Sequence, residues 1–413
     1  MNIFENMRIA LGSLSANKLR SGLTMLGIII GVMSVIAMLS IGEGAQAAIT
    51  AQINAIGTNL LFIRPGAVQQ GGVASAAGSA ATLTLQDAQA MNNLQGVAGV
   101  SPETDTFGQV VYLGNNANAR ILGVTSNYLD VMNGAVADGS FISDAQVTAE
   151  EPVAVLGSQI AQELFNGAEP VGQIIRINNQ PFRVIGVMQS QGGTGFLNQD
   201  TQIFVPITAA NTRLARGGNF RGADLVSNIT VQMTSASQQN LVTSEITDVL
   251  DQRHHIQVQG QSDFTIQSQQ DILNAASQVT GILTIFLGGV AAISLIVGGI
   301  GIMNIMLVSV TERTHEIGIR KAVGAHQRDI LGQFLTEATI LSVSGGVIGI
   351  LFGMMIAHVI SGIQVGSSTL TTVVAPSSVV LAVLFSVGVG LFFGIYPANR
   401  AATLNPIDAL RYE

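Results

Sequence analysis

Cysteine and tryptophan are absent from these 413 residues, lysine occurs twice, and only 10% of the side chains are charged. Without cysteine there is neither a disulfide framework nor a thiolate metal site, and cysteine usage says nothing of the redox compartment. The two lysines, Lys18 and Lys321, precede Leu19 and Ala322, so no G-x-x-x-x-G-K-S/T phosphate loop exists within these residues. ATP hydrolysis is therefore not expected of them. The pair His254-His255 has no carboxylate or cysteine beside it at ligand spacing and reads as a solvated loop. The glycine-rich stretch at 192–195 lacks a following lysine and a clear βαβ context, and reads as a loop as well. No catalytic residue, cofactor or metal is expected in the chain. Residues 45–271 hold seventeen Asp or Glu against eight Arg, and this acidic balance argues against nucleic acid as a partner.

Charge is missing most where apolar residues are densest. Residues 21–42 carry no charge, and neither do 272–311 or 338–399. A segment of about 20 apolar residues spans a bilayer as a helix, so 21–42 is read as the first transmembrane helix. Its basic front and the Ala45-Gln46-Ala47 triplet resemble a signal peptide, but the apolar run is too long for an h-region and is expected to stay attached. The run at 272–310 is too long for one crossing and reads as a stalk followed by the second span. The polar, proline-containing stretch 362–377 divides the last run into spans at 333–361 and 378–399, with a tail at 400–413. Residues 1–20 place Ile3, Phe4, Met7, Leu11 and Leu14 at helical spacing, as an amphipathic helix on the inner membrane surface would. Lys and Arg number three in residues 1–20, four in 312–328 and none in 362–377, so both termini are expected in the cytoplasm and the large block 43–271 outside.

The block 43–271 is long enough to bury a core, and its punctuation suggests two subdomains of mixed α/β structure. Residues 66–81 are small, polar and featureless, and read as a mobile loop. Thr84 is a plausible N-cap for the helix that follows. Asn115-Asn116 stands between two strand-like runs as a hairpin turn, and Asn178-Asn179 does the same between IIRI and QPFRVIGVM. EPVAVLGSQIAQELFNG reads as strand then helix. The fold class is thus an α-helical membrane protein of four transmembrane helices, with a mixed α/β extracytoplasmic domain inserted between the first two.

The dense charge cluster of the membrane half is TERTHEIGIRKAVGA, residues 311–325, within a cytoplasmic segment 311–332. As a helix it sets Glu316 and Arg320 four residues apart, while Ile317, Ile319 and Val323 offer apolar contacts. An aqueous partner that holds it and a plain basic loop anchored by the positive-inside rule are both compatible with this pattern. Small residues run in stripes through the spans: Gly27 and Gly31; Gly345, Gly349 and Gly353; Ser386, Gly390 and Gly394. They allow close helix packing within one chain or across a dimer. His358 reads as a packing histidine deep in the third span.

Several motifs resemble, in order and over nearly the whole chain, the permease subunits of MacB-type ABC transporters in the FtsX-like permease superfamily. They are NKLRSGLTMLGIIIGV (17–32), VAVLGSQIAQELF (153–165), EPVGQIIRINNQPFRVIGVM (169–188), TERTHEIGIRKAVGA (311–325) and YPANRAATLNPIDALRYE (396–413). The resemblance implies a coupling helix at 311–325, with Glu312, Arg313, Glu316, Arg320 and Lys321 as polar contacts to an ATPase and Gly318, Gly324 and Ala325 in the same segment. It implies that the tail around Pro397, Arg400 and Pro406 packs beside that helix. The best-known exporter of this type carries a fused nucleotide-binding domain that these residues lack, so a separate ABC ATPase, with its ATP and Mg, is the implied partner. A homodimer in the lipid bilayer of the cytoplasmic membrane and a periplasmic or extracellular adaptor are further implied partners. The function implied is export by mechanotransmission; the alternative is a regulatory permease acting on an outside enzyme or sensor, or one that extracts lipoproteins.

Overall fold

In hydrocarbon every backbone N–H and C=O must bond within its own segment, so uncharged runs of this length become helices. The computed structural model describes residues 18–55, 57–66, 69–70, 73–74, 81–192, 198–214, 219–220, 223–256, 262–362, 364–365, 368–369 and 372–410. The amphipathic helix expected at 1–20 lies outside the described residues apart from 18–20, as do most of the loop 66–81, the glycines at 193–195 and the end of the tail.

Among the described residues, four helices are long and apolar enough to cross a membrane. The first, α1 (Lys18–Ala55), continues well past the expected end at 42, because EGAQAAITAQINA is rich in good helix formers and neither Gly42 nor Gly44 ends it. The inserted domain follows, with α2 (Leu85–Met91), α3 (Ser158–Phe165) and α4 (Gln239–His254). Next comes α5 (Gln269–Glu312), 44 residues without a break, about 66 Å at ~1.5 Å per residue. The helix runs through Gly281 without a break. After α5 come α6 (Thr314–Ala322), α7 (Gln327–Ile360), α8 (Pro376–Thr403) and α9 (Pro406–Leu410). The segment 311–332 is thereby divided among the end of α5, α6 and the first turns of α7.

The membrane helices and the inserted domain are two separate compact units. In the membrane unit the glycine stripes are consumed within the chain. A Cβ on Gly27 would stand 2.8 Å from the Cα of Gly298, and one on Gly31 2.9 Å from Leu295, so α1 meets α5 there. Gly345, Gly349 and Gly353 receive Ile28, Val32 and Ile36, each within 3.2 Å of such a Cβ, joining α7 to α1. Gly390 and Gly394 face Ser342 and Ala338, each 2.7 Å away, joining α8 to α7. At that last seam Ser386 Oγ donates to the Ser342 carbonyl at 2.6 Å and Ser342 Oγ donates to the Ser386 carbonyl. His358, expected deep in its span, is exposed two residues before the end of α7.

The inserted domain is built on a ten-stranded mixed sheet. Its strands are β1 (Leu60–Pro65), β2 (Val97–Tyr112), β3 (Asn115–Val124), β4 (Val136–Gly139), β5 (Val153–Leu156), β6 (Ile174–Ile177), β7 (Gln180–Met188), β8 (Gln202–Pro206), β9 (Asn228–Met233) and β10 (Phe264–Ser268). The order is β10-β1-β9-β2-β3-β8-β5-β7-β4, with β6 against β2 and β7. The sixteen-residue β2 serves both halves: its first part pairs antiparallel with β9 and its second with β3. Two subdomains were expected; one sheet threads both, with three hydrophobic clusters along it.

Local signals are realised where the partner is near. Asn178 and Asn179 take φ of 48° and 66°, as a two-residue turn between antiparallel β6 and β7 requires. The other turn is displaced: it falls at Leu113-Gly114, and Asn115-Asn116 open β3, where the Asn115 side chain donates to the Leu164 carbonyl at 2.7 Å. Thr84 caps α2 in a reciprocal box with Asp87.

His254 corrects the expectation of a solvated loop. It ends α4 with its side chain 6% exposed, Nδ1 2.7 Å from Asp263 and Nε2 3.3 Å from Asp87. Burial alone would lower its pKa, but the two carboxylates outweigh that and raise it to about 9. Asp87 also receives Arg253 Nε at 2.5 Å. Against burial, hydrogen bonds from His254, Arg253 and Thr84 hold Asp87 well below the usual carboxylate range.

Candidate coupling site

The charged segment begins where α5 ends. Arg313 breaks the helical path with φ −105° and ψ 13°, and Thr314 Oγ1 donates back to the Val310 carbonyl at 2.9 Å. The Arg313 guanidinium donates to Glu316 at 2.9 Å and to Glu337 of α7 at 3.2 Å, and stands 5.5 Å from the ring centroid of Phe334. Burial would lower its pKa, yet Glu316 and Glu337 outweigh this and raise it. Glu316 is shared: its other oxygen accepts from Arg320 at 2.6 Å, and the bond from Arg313 holds its carboxyl below the usual value. Arg320 also donates to Gln333 of α7 at 2.7 Å. Lys321 donates to the carbonyls of Ala402 and Leu404, at 2.5 and 2.7 Å, just after the last apolar turns of α8. Those carbonyls are orphaned by the helix end, and an ammonium there satisfies them and complements the helix dipole.

The tail closes the arrangement. A Cβ on Gly318 would stand 2.9 Å from that of Ala409, so α9 lies tightly on α6. Pro397 is buried inside α8, Pro406 starts α9, and Arg400 is exposed. Gly324, at φ 107°, ends α6 in a left-handed turn in which Ala325 N–H bonds the Arg320 carbonyl. It therefore serves the turn, and Ala325 packs toward the membrane core.

Of the residues expected to face a partner, the structure draws Arg313, Glu316, Arg320, Lys321 and Gly318 into contacts within the chain. Glu312 remains on the outer face with His315, Ile319, Ala322 and Val323. Ile319 is 47% and Val323 85% exposed, an apolar pair on an otherwise charged segment. Sequence reasoning missed Glu337 and Gln333. A signal for Glu337 was present: it is the last charge before a long uncharged run, and a carboxylate at the lip of a span needs a cation.

The family described as MacB-like periplasmic core domain matches residues 21–249, more than half the chain. The chain belongs to the MacB-like permease family. The FtsX-like permease C-terminal family matches residues 288–406 of this MacB-like permease, which takes in α6, α7 and α8. Proteins named macrolide export ATP-binding/permease protein MacB from Bdellovibrio bacteriovorus and Azoarcus sp. are 41% and 43% identical to it, and each alignment covers 100% of this chain. The chain spans 62% and 60% of those relatives' lengths. The solved periplasmic region of MacB from Actinobacillus actinomycetemcomitans overlays with a TM-score of 0.45 and 23% identity, covering 54% of this chain and 94% of that one.

Proposed function

We propose that this chain is the permease of an ATP-driven export system and acts as a mechanical transmitter between an ATPase and its own outer domain. A separate ABC ATPase, which holds the ATP and Mg, closes on nucleotide and presses on α6. Two copies of the permease face each other, with both termini and α6 in the cytoplasm; the lysine and arginine count of the flanks supports that orientation. The carrying observation is that α6 is fastened on two sides, to α7 through Arg313 and Arg320 and to the end of α8 through Lys321. A push on such a segment is delivered to the membrane helices. The relatives' names support export, and a periplasmic adaptor is the partner that would receive what is moved.

The contact to the ATPase is made by Ile319 and Val323, whose exposed apolar surface is unusual beside so much charge. The test is the stimulation of the purified cognate ATPase by the full-length permease in nanodiscs. Val323→Asp should reduce that stimulation at least tenfold while the thermal midpoint of the permease stays where it was, since the side chain packs on little. Unchanged stimulation in Val323→Asp and in Ile319→Asp would remove this docking surface.

A further inference from the structure

A cavity of about 430 Å³ opens in the inserted domain where β2 passes from one partner strand to the next. It is lined by the apolar side chains of Phe62, Leu122, Tyr128 and Met132, by Arg64, and by Asp271, Ile272 and Ala275 in the first two turns of α5. At its polar end lies Glu103, 5% exposed, which accepts from Asn228 Nδ2 and Thr230 Oγ1 at 3.0 Å each. Arg120 is bound to Asp105 at 2.7 Å. Gln199 lines the same space, is 3% exposed, and neither its amide nitrogen nor its oxygen has a hydrogen-bond partner among the described residues. Asn228 Oδ1 is likewise without one.

Buried amides left in this state weaken a fold, and they persist where something else completes them. We propose that the cavity binds a small uncharged amphipathic molecule bearing amide or hydroxyl groups, held between the sheet and the start of α5. The size is that of an ordinary small-molecule site. The polar requirement is specific: one acceptor for the Gln199 N–H groups, and donors for Gln199 Oε1 and Asn228 Oδ1. The ligand is uncharged because the buried ions of the cavity are already held within the domain, and Arg64, the remaining charged side chain of the lining, is exposed to solvent. Arg120 faces Asp105, Glu103 is held by two neutral donors, and Asp271 at the rim accepts from the Ser268 amide and hydroxyl at 2.9 and 2.7 Å. A net charge would be desolvated here with no counter-ion released to meet it. The inference is independent of how force reaches the domain, since it concerns only the α/β unit and the α5 turns that belong to it.

The test uses the full chain in detergent micelles and the capped peptide N-acetylphenylalanyl-leucinamide, with its uncapped cationic and anionic forms as controls. Saturation-transfer NMR should show saturable binding of the neutral peptide and at least tenfold weaker binding of both charged forms. Gln199→Met, which keeps the volume and removes the amide, should abolish binding and raise the thermal midpoint, because an unpaired buried amide has gone. Leu122→Trp, which fills the cavity, should also abolish binding. If Gln199→Met lowers the midpoint, Gln199 is a structural group and the proposal falls. Absence of saturable binding by the wild type, binding unchanged in Gln199→Met, or equal binding of a charged form would each overturn it.

Discussion

Asp87 gathers three residues from two elements of the inserted domain onto one carboxylate: Thr84 at the cap of α2, and Arg253 and His254 at the end of α4. The cap was legible, because its two residues are three apart. His254 was not, because its carboxylate partners are set by the fold: Asp87 lies 167 residues away, and Asp263 comes back across a strand start. The consequence is a pH dependence with a definite sign. The folded pKa of His254 is raised to about 9, so the stabilisation is fully present below the unfolded value of ~6.5 and is lost as pH rises through 9. Asp87 acts at the other end: its depressed carboxyl contributes above the unfolded value of ~3.8 and loses this only in strong acid. At neutral pH the histidine contributes roughly 2 kcal/mol. The thermal midpoint of the wild type should therefore fall between pH 7 and pH 10 more steeply than that of His254→Gln. Parallel curves for the two proteins would show that the histidine is not charged in the folded state.

Among the elements, the apolar runs were readable from hydropathy, and the small-residue stripes from spacing. What spacing left open was whether the stripes serve one chain or two, since a close-packing face looks the same in either case. Within the chain, each of these glycines meets a neighbouring helix. A graded prediction follows from the same contacts. Gly390→Ala places a methyl group 2.7 Å from the Cβ of Ser342 and should cost about 1–3 kcal/mol by overpacking, read as a lower thermal midpoint in micelles. Gly288→Ala in α5, where a Cβ meets nothing within 4 Å, should be neutral or stabilising by up to ~1 kcal/mol through helix propensity. Equal effects at the two sites would mean that the α7–α8 seam is looser than its geometry. The coupling segment divides in the same way. Its charges announced a distinct polar element between two spans, but that Arg313 and Arg320 would bind α7 depended on Glu337 and Gln333 arriving from the next helix.

For the whole molecule, the family, the four helices and the inserted α/β domain were all visible in the order of motifs. The cavity beside Glu103 was not, since Phe62, Gln199, Asn228 and Asp271 share no local pattern and meet only because β2 carries two sets of partners. The dimeric transmitter proposed above makes a further demand on α5, whose exposed residue Gln278 stands less than one turn beyond Ala275 of the cavity lining. In a chain with no other cysteine, Gln278→Cys should cross-link to its dimer mate in one nucleotide state of the ATPase and much less in the other. Cross-linking that is absent, or equally efficient with and without ATP, would remove α5 as the moving part.

The reciprocal serine bonds between α7 and α8 bear on how such a chain is made. Each hydroxyl reaches the other helix's carbonyl, and sliding one helix by a single turn breaks both bonds inside hydrocarbon, where water cannot replace them. The pair therefore has one admissible register. Only a short stretch of chain separates α7 from α8, and a single register is what two such helices require in order to enter the bilayer together as one hairpin.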